Sequence, residues 1–346
     1  MSSQGLFSVS RRALLSGAAL ATATTAAGLL LAPHFRHRRP RLQPDGSYRK
    51  LRLGWAGAEH CPVFAAAQQK GFFAHYNLDI EVVSSGANGH DTLDAMQDKA
   101  FDYAVASALI WIQYLNNALP ARLVLGVQPG NFRLLVRRSS GITRLDQLMG
   151  RTVAIPDRNA ADKLFFAVMM RRKGLDAMNR ITWQDMPFDQ ISGAAQAEKI
   201  EAVAAHDPYG WQLLHDHPGL FTELVGSNTG HYAERTSLVL GVSDSALAED
   251  PAAATALVLA LMDAAHWADT HRDEAATLIA DDTPALSSDS ARAMLHNEPL
   301  IRPVVGSAFR DQIAQYCDEL QLIGLMPDLE DSAALAHKFT RNVLHA

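Results

Sequence analysis

Residues 61–80, CPVFAAAQQKGFFAHYNLDI, decide the fold class. Pro62 suits the first position of a helix, where a missing N–H costs nothing, and residues 63–76 continue with a mostly apolar face. Asn77 can take the left-handed conformation that closes a helix, and the β-favouring run 79–83 follows at once. Upstream, LRLGWA at 51–56 is already strand-like. The unit therefore reads strand, helix, strand, which is the mark of a parallel α/β sheet.

Working outward, the alternation persists. A Gly/Asn loop at 84–89 leads to a helix at 91–99, a strand at 103–106, a helix at 109–117, and strands at 122–127 and 132–137. After the polar stretch 138–141 a second series begins. It has a short helix from 143, a strand at 151–155, and a helix at 160–173 closed by Gly174. A strand at 181–186, a helix near 191–199, a strand at 200–204 and a helix within 206–217 complete it. Residues 236–242 are again strand-like, and from Pro251 the pattern is almost wholly helical. No repeat of short fixed period occurs. Two α/β lobes are suggested, with crossings near residues 138 and 234.

With 346 residues, 48% hydrophobic and 20% charged, the chain has ordinary globular composition and ample length for a large core. The net charge of −6 conceals an asymmetry. Six of the 31 Lys/Arg but only one of the 37 Asp/Glu lie in residues 1–46, leaving 25 basic against 36 acidic residues in the body. So acidic a body excludes nucleic acid as an expected partner, because phosphate binding needs a basic face. Two cysteines, Cys61 and Cys317, make neither a disulfide scaffold nor a Cys-only zinc site.

The basic excess belongs to an address. Ser10-Arg11-Arg12 opens an uncharged run, 13–32, rich in Ala, Leu and Thr, and adjacent arginines there suggest the twin-arginine export route. HFRHRRPR at 34–41 places four arginines where a cleavage region is usually uncharged, so an uncleaved anchor stays open beside a removed signal. The location implied is periplasmic.

Residues 61–80 resemble the first helix and second strand of ABC-importer solute-binding proteins of the nitrate/sulfonate/taurine/bicarbonate branch, which also includes thiamine-precursor binders. KGFF at 70–73, the single turn residue Asn77 and LDI at 78–80 carry the likeness. RLDQLMGRTVAI at 144–155 is similar to the family's entry into the second lobe, and IEAVAAHDP at 200–208 to a strand ending in an acid-Pro dipeptide. The resemblance implies a type II periplasmic-binding-protein fold, α/β, with a ligand cleft between two lobes. Residues 1–46 are then export signal and basic linker, 47–137 plus 235–346 lobe I, and 138–234 lobe II. It further implies a monomeric, non-enzymatic receptor without cofactor or metal. Its partners would be a small-molecule ligand and the permease and ATPase subunits of an ABC importer, with contact to membrane only through the signal segment or permease docking.

In such sheets a ligand sits outside the carboxyl ends of the strands. The candidates are accordingly Trp55, Glu59 and His60 after the first strand, and Ser84, Gly86, Asn88, His90 and Asp91 after the second. Ser107 follows the third strand. The second lobe offers Asn159 and Ala160, whose backbone at a helix start could cradle an anion, with His206, Asp207, Tyr209 and Trp211. Trp111, on a helical face with Leu115, reads as core. Histidines and Arg158 would suit an oxyanion, whereas Glu59, Asp91, Asp157 and Asp207 would suit a neutral heterocycle, an amine, or an anion held through a bridging cation. Both ligand classes remain open, as does a membrane-held sensor using the same cleft. A pyrimidine-synthase-like enzyme is disfavoured, because its cysteine-rich motif is absent, and no G-x-S-x-G, Walker A or G-x-G-x-x-G sequence occurs.

Overall fold

A computed structural model describes residues 42–43, 45–83, 88–157, 161–283, 286–327 and 330–344. The expected export segment lies outside them. Ten strands build two five-stranded sheets. The first takes β1 (Arg49–Trp55), β2 (Leu78–Val83), β3 (Tyr103–Ser107) and β4 (Ala121–Pro129), while β5 (Phe132–Arg137), β6 (Thr152–Ile155), β7 (Thr182–Asp185), β8 (Ala202–His206) and β9 (Phe221–Gly226) form the second. The chain then returns with β10 (Thr236–Ser243). The orders are β2-β1-β3-β10-β4 and β7-β6-β8-β5-β9.

Each sheet has a parallel heart and an antiparallel flank. β1 runs parallel to β2 and β3, and β6 parallel to β7 and β8. β10 runs antiparallel to both β3 and β4, and β5 antiparallel to β8 and β9. The first strand after each crossing, β5 and then β10, is thus the one that runs against its neighbours.

Three expectations need correction. The helix expected over 63–76 is two, Pro62–Gln69 and Phe72–His75, because Gly71 adopts a left-handed conformation (φ 76°) between them. Asn77 does turn left-handed (φ 60°), as its position before β2 requires. Secondly, β5 belongs to the second sheet, so the chain crosses at Gly130-Asn131 rather than near 138. FRLLVR reads as a strand on sequence grounds, but its partners β8 and β9 lie some 70–90 residues away, and Phe132 pairs with His206. Thirdly, β8 extends to His206, and the following helix, Tyr209–Asp216, starts only after Pro208. The strand β9 was not foreseen.

Helices cover both sheets. Pro251–Thr270 is long and apolar enough to cross a membrane, yet it is a core helix here, largely buried against Pro62–Gln69 and β4. A second apolar cluster runs unbroken from Trp111 and Ile110 of the first sheet's helices to Phe132, Ile155 and Phe165 of the second lobe. Trp111 is fully buried, its indole N–H donating to the carbonyl of Val239 at 3.0 Å. Cys61 and Cys317 are both free and buried, in different clusters.

Candidate functional site

A cavity of about 410 Å³ opens between the lobes, bounded by residues that follow the carboxyl ends of β1, β3, β6 and β8. From the first lobe come Trp55, the last residue of β1, and Glu59 and His60 in the tight turn entered through Gly57 (φ 70°). Asn88 and Ser107 complete that side. The second lobe supplies Asp157, Phe188, His206, Asp207 and Tyr209. The crossing segment, Gln128 to Phe132, and Ser237 and Leu238 of β10 form the back.

Two imidazoles face this space from opposite lobes, in different electrostatic settings. His206 is 39% exposed, and its Nδ1 lies 3.0 and 3.1 Å from the carboxylate oxygens of the fully buried Asp162. Burial disfavours its charged form, but the charge and hydrogen bond of Asp162, with Asp207 and Asp157 beyond, outweigh that and raise its pKa. His60 is pulled the other way. Burial lowers its pKa, Glu59 opposes, and the charge of His206 lowers it further. Its Nδ1 is 2.8 Å from the Thr283 hydroxyl. Tyr209 stands edge-on to both rings, with centroids 6.1 Å from His60 and 5.6 Å from His206, and packs on Phe188.

Asn88 does two things at once. Its side-chain oxygen accepts from the N–H groups of His90 and Asp91, capping the helix Gly89–Gln97, and its amide donates across the cleft to Asp157 at 2.6 Å. Ser107 is buried, and its hydroxyl is one of three buried side-chain polar atoms without a hydrogen-bond partner among the described residues. A polar atom left in that state beside a cavity marks a place where a ligand can bond.

Asp207 lines the cavity, yet its carboxylate is turned to Arg133, whose Nε and Nη2 donate at 2.7 and 2.8 Å, and to the backbone N–H of Trp211 at 2.9 Å. Burial raises the carboxyl's pKa against the pull of that arginine. Arg133, itself buried, also donates to Glu223 at 2.6 Å and to Asn297 at 2.9 Å. The Cys61 thiol donates to Gln128 at 3.2 Å, and burial pushes its pKa up to about 12, far from a thiolate.

Trp55, Glu59, His60, Asn88, Ser107, His206, Asp207 and Tyr209 are thus brought together. Trp211, His90 and Asp91 are placed away from the lining. The Trp211 indole N–H donates to Ser290 of the first lobe at 3.0 Å and its ring stacks on His215, so it joins lobes instead of facing the cavity. His90 packs against Tyr114 at 5.6 Å, and Asp91 lies in the first turn of its helix. Ser84, Gly86, Asn159 and Ala160 lie outside the described residues. Gln128, Asn131, Phe132, Phe188, Ser237 and Leu238 were not anticipated. The only signal for Asn131 was its place between two consecutive strands, where a crossing could fall; Gln128 and Phe132 lie near the facing ends of those strands. No group of three or more His, Cys, Asp or Glu able to hold a metal occurs among the described residues.

Solved structures of similar shape agree on the fold. The periplasmic aliphatic sulphonate binding protein SsuA from Escherichia coli superposes with a TM-score of 0.69 at 18% identity, covering 86% of this chain and 93% of that one. The periplasmic nitrate-binding protein NrtA from Synechocystis PCC 6803 gives 0.66 at 13% identity, over 86% and 87%. The alkanesulfonate-binding protein SsuA from Xanthomonas axonopodis pv. citri, bound to MOPS, gives 0.69 at 18%, over 84% and 98%. At such identities the likeness concerns the two-lobed periplasmic-binding-protein fold. No curated protein matches in sequence. The model of the NMT1/THI5-like family matches residues 58–275, which is more than half of the chain and takes in the second sheet and every strand of the first but β1. This chain belongs to the NMT1/THI5-like family.

Proposed function

We propose that the chain is the extracytoplasmic solute-binding subunit of an ABC importer, closing two lobes over one small polar solute and delivering it to a membrane permease. Family membership, the two-lobed fold and the twin-arginine-like leader support this reading. The crossings at 130–131 and between Gly226 and Thr236 would serve as hinges, and solute contacts from both lobes would favour the closed state.

Of the two solute classes, the cavity favours a small planar nitrogen heterocycle, such as a thiamine pyrimidine precursor, over nitrate, bicarbonate, a sulfonate or taurine. One observation carries that choice. Among the described residues the lining contains no lysine or arginine, but the carboxylates of Glu59 and Asp157, with that of Asp207 turned to Arg133, and the rings of Trp55, Phe132, Phe188 and Tyr209. A bare anion would meet like charge at close range, whereas ring N–H groups would find acceptors and a ring face would find aromatic walls. The oxyanion reading keeps one feature in its favour, the raised pKa of His206.

A thermal-shift panel on refolded, ligand-stripped protein separates the classes. A solute at ~100 times its dissociation constant stabilises the folded state by about 2.7 kcal/mol. A shift with aminopyrimidines and none with nitrate, bicarbonate or alkanesulfonates is the expected result. The opposite pattern would transfer the assignment to oxyanions.

A further inference from the structure

We propose that His206 selects the solute by donating from Nε2 to a hydrogen-bond acceptor on it, with Asp162 as the positioning residue; this rests on the receptor reading above. His206 ends β8 at the cavity wall, and Asp162, in the first turn of the helix Ala161–Arg171, is fully buried behind it. With Nδ1 held by both carboxylate oxygens, Nε2 is the nitrogen left for the cavity, and it has no hydrogen-bond partner among the described residues.

A carboxylate can only accept, so Nδ1 keeps its proton, and the role of Nε2 follows the protonation state of the ring. The neutral imidazole offers a lone pair there. The imidazolium offers an N–H. Asp162 favours the charged ring, as do Asp207, itself backed by Arg133, and Asp157 from the loop after β6. From the first lobe His60 faces it, beside Glu59, and the Tyr209 ring stands edge-on to both imidazoles. The pulls on the two rings are opposite, so the second-lobe histidine is the fixed donor of the pair.

The solute class is therefore narrowed to molecules bearing an acceptor, an aromatic ring nitrogen or an anionic oxygen, where they meet His206. Their affinity is highest while the ring is charged and falls as pH rises through the His206 pKa, which lies above its ordinary value of 6.5. Solutes with only donors at that point are rejected.

The test is calorimetric titration of the full chain with 4-aminopyrimidine, ethanesulfonate and aniline, the last matching the first in shape without ring nitrogens. Titrations span pH values above the probe's own protonation. We expect 4-aminopyrimidine to bind, aniline not to, and the affinity to decline towards high pH. His206→Leu should lose about tenfold or more, the usual worth of a hydrogen bond to a charged group. His206→Gln, a donor that does not titrate, should restore binding and flatten the pH profile. Asp162→Asn should move the decline to lower pH, which a merely structural role would not do. Parent affinity independent of pH, or full affinity in His206→Leu, would overturn this inference and leave the receptor reading intact. Binding of ethanesulfonate alone, still lost in His206→Leu, would sustain the inference and replace the heterocycle by an anion. A folded parent that binds none of the probes would overturn both.

Discussion

A buried hydroxyl without a partner usually costs stability, and Ser107 carries one at the edge of the cavity. If its purpose is the solute, removing it should separate stability from affinity. Ser107→Ala is expected to unfold at the parent's temperature or slightly above it, while solute affinity falls by about 1 kcal/mol, near fivefold. Differential scanning calorimetry and titration with the same solute read the two quantities. A clear loss of thermal stability with unchanged affinity would assign the hydroxyl to the fold. At this scale much of the site was legible in sequence, because Trp55, Ser107 and His206 end strands, and Glu59, His60 and Tyr209 stand just beyond such ends, where an α/β sheet exposes them. Trp211 shows the limit. Its helix follows the right strand, but which face looks inward depends on Ser290, 79 residues further on.

Elements were more legible in kind than in partnership. The sequence shows β5 as a strand but cannot show its sheet, because its hydrogen bonds go to β8 and β9. Periodicity misses the break at Gly71, since the apolar face continues through it. Where two elements approach closely, glycine is the trace. A Cβ on Gly241 of β10 would sit 2.4 Å from the Trp111 indole, itself held by its bond to Val239 in the same strand. Neither side can retreat, because Trp111 is fully buried and β10 is paired on both edges. Gly241→Ala should therefore cost about 1–3 kcal/mol of folding stability, as overpacked cores do. Urea unfolding checks it. A midpoint equal to the parent's would mean the indole has room to move.

Across the whole molecule, the lobes are joined by more than their two crossings. Asn88 reaches Asp157 on one side of the cleft, and Trp211–Ser290 and Arg133–Asn297 tie the other. Glu298 stands where these ties meet the first crossing. It accepts from Asn131 at 3.1 Å, and its carbonyl accepts from Arg272. Burial and the charge of Asp207 raise its pKa from 4.5 to about 7, against Asn131, Arg133 and Arg272. The sign of the consequence is fixed. Below pH 4.5 the carboxyl is protonated whether the chain is folded or not, so it contributes nothing. Between there and about 7 the unfolded chain sheds a proton that the folded chain keeps, so folding stability falls as pH rises, and the penalty levels off above the folded pKa. Its size is on the order of 3 kcal/mol. Glu298→Gln keeps an acceptor for Asn131 and removes the titration. Relative to the parent it should be equally stable near pH 4 and more stable by on the order of 3 kcal/mol near pH 8, by urea unfolding at each pH. A variant that loses ground at alkaline pH would show the ionised Glu298 to be a favourable tie between the lobes, with Arg133 and Arg272 outweighing its burial.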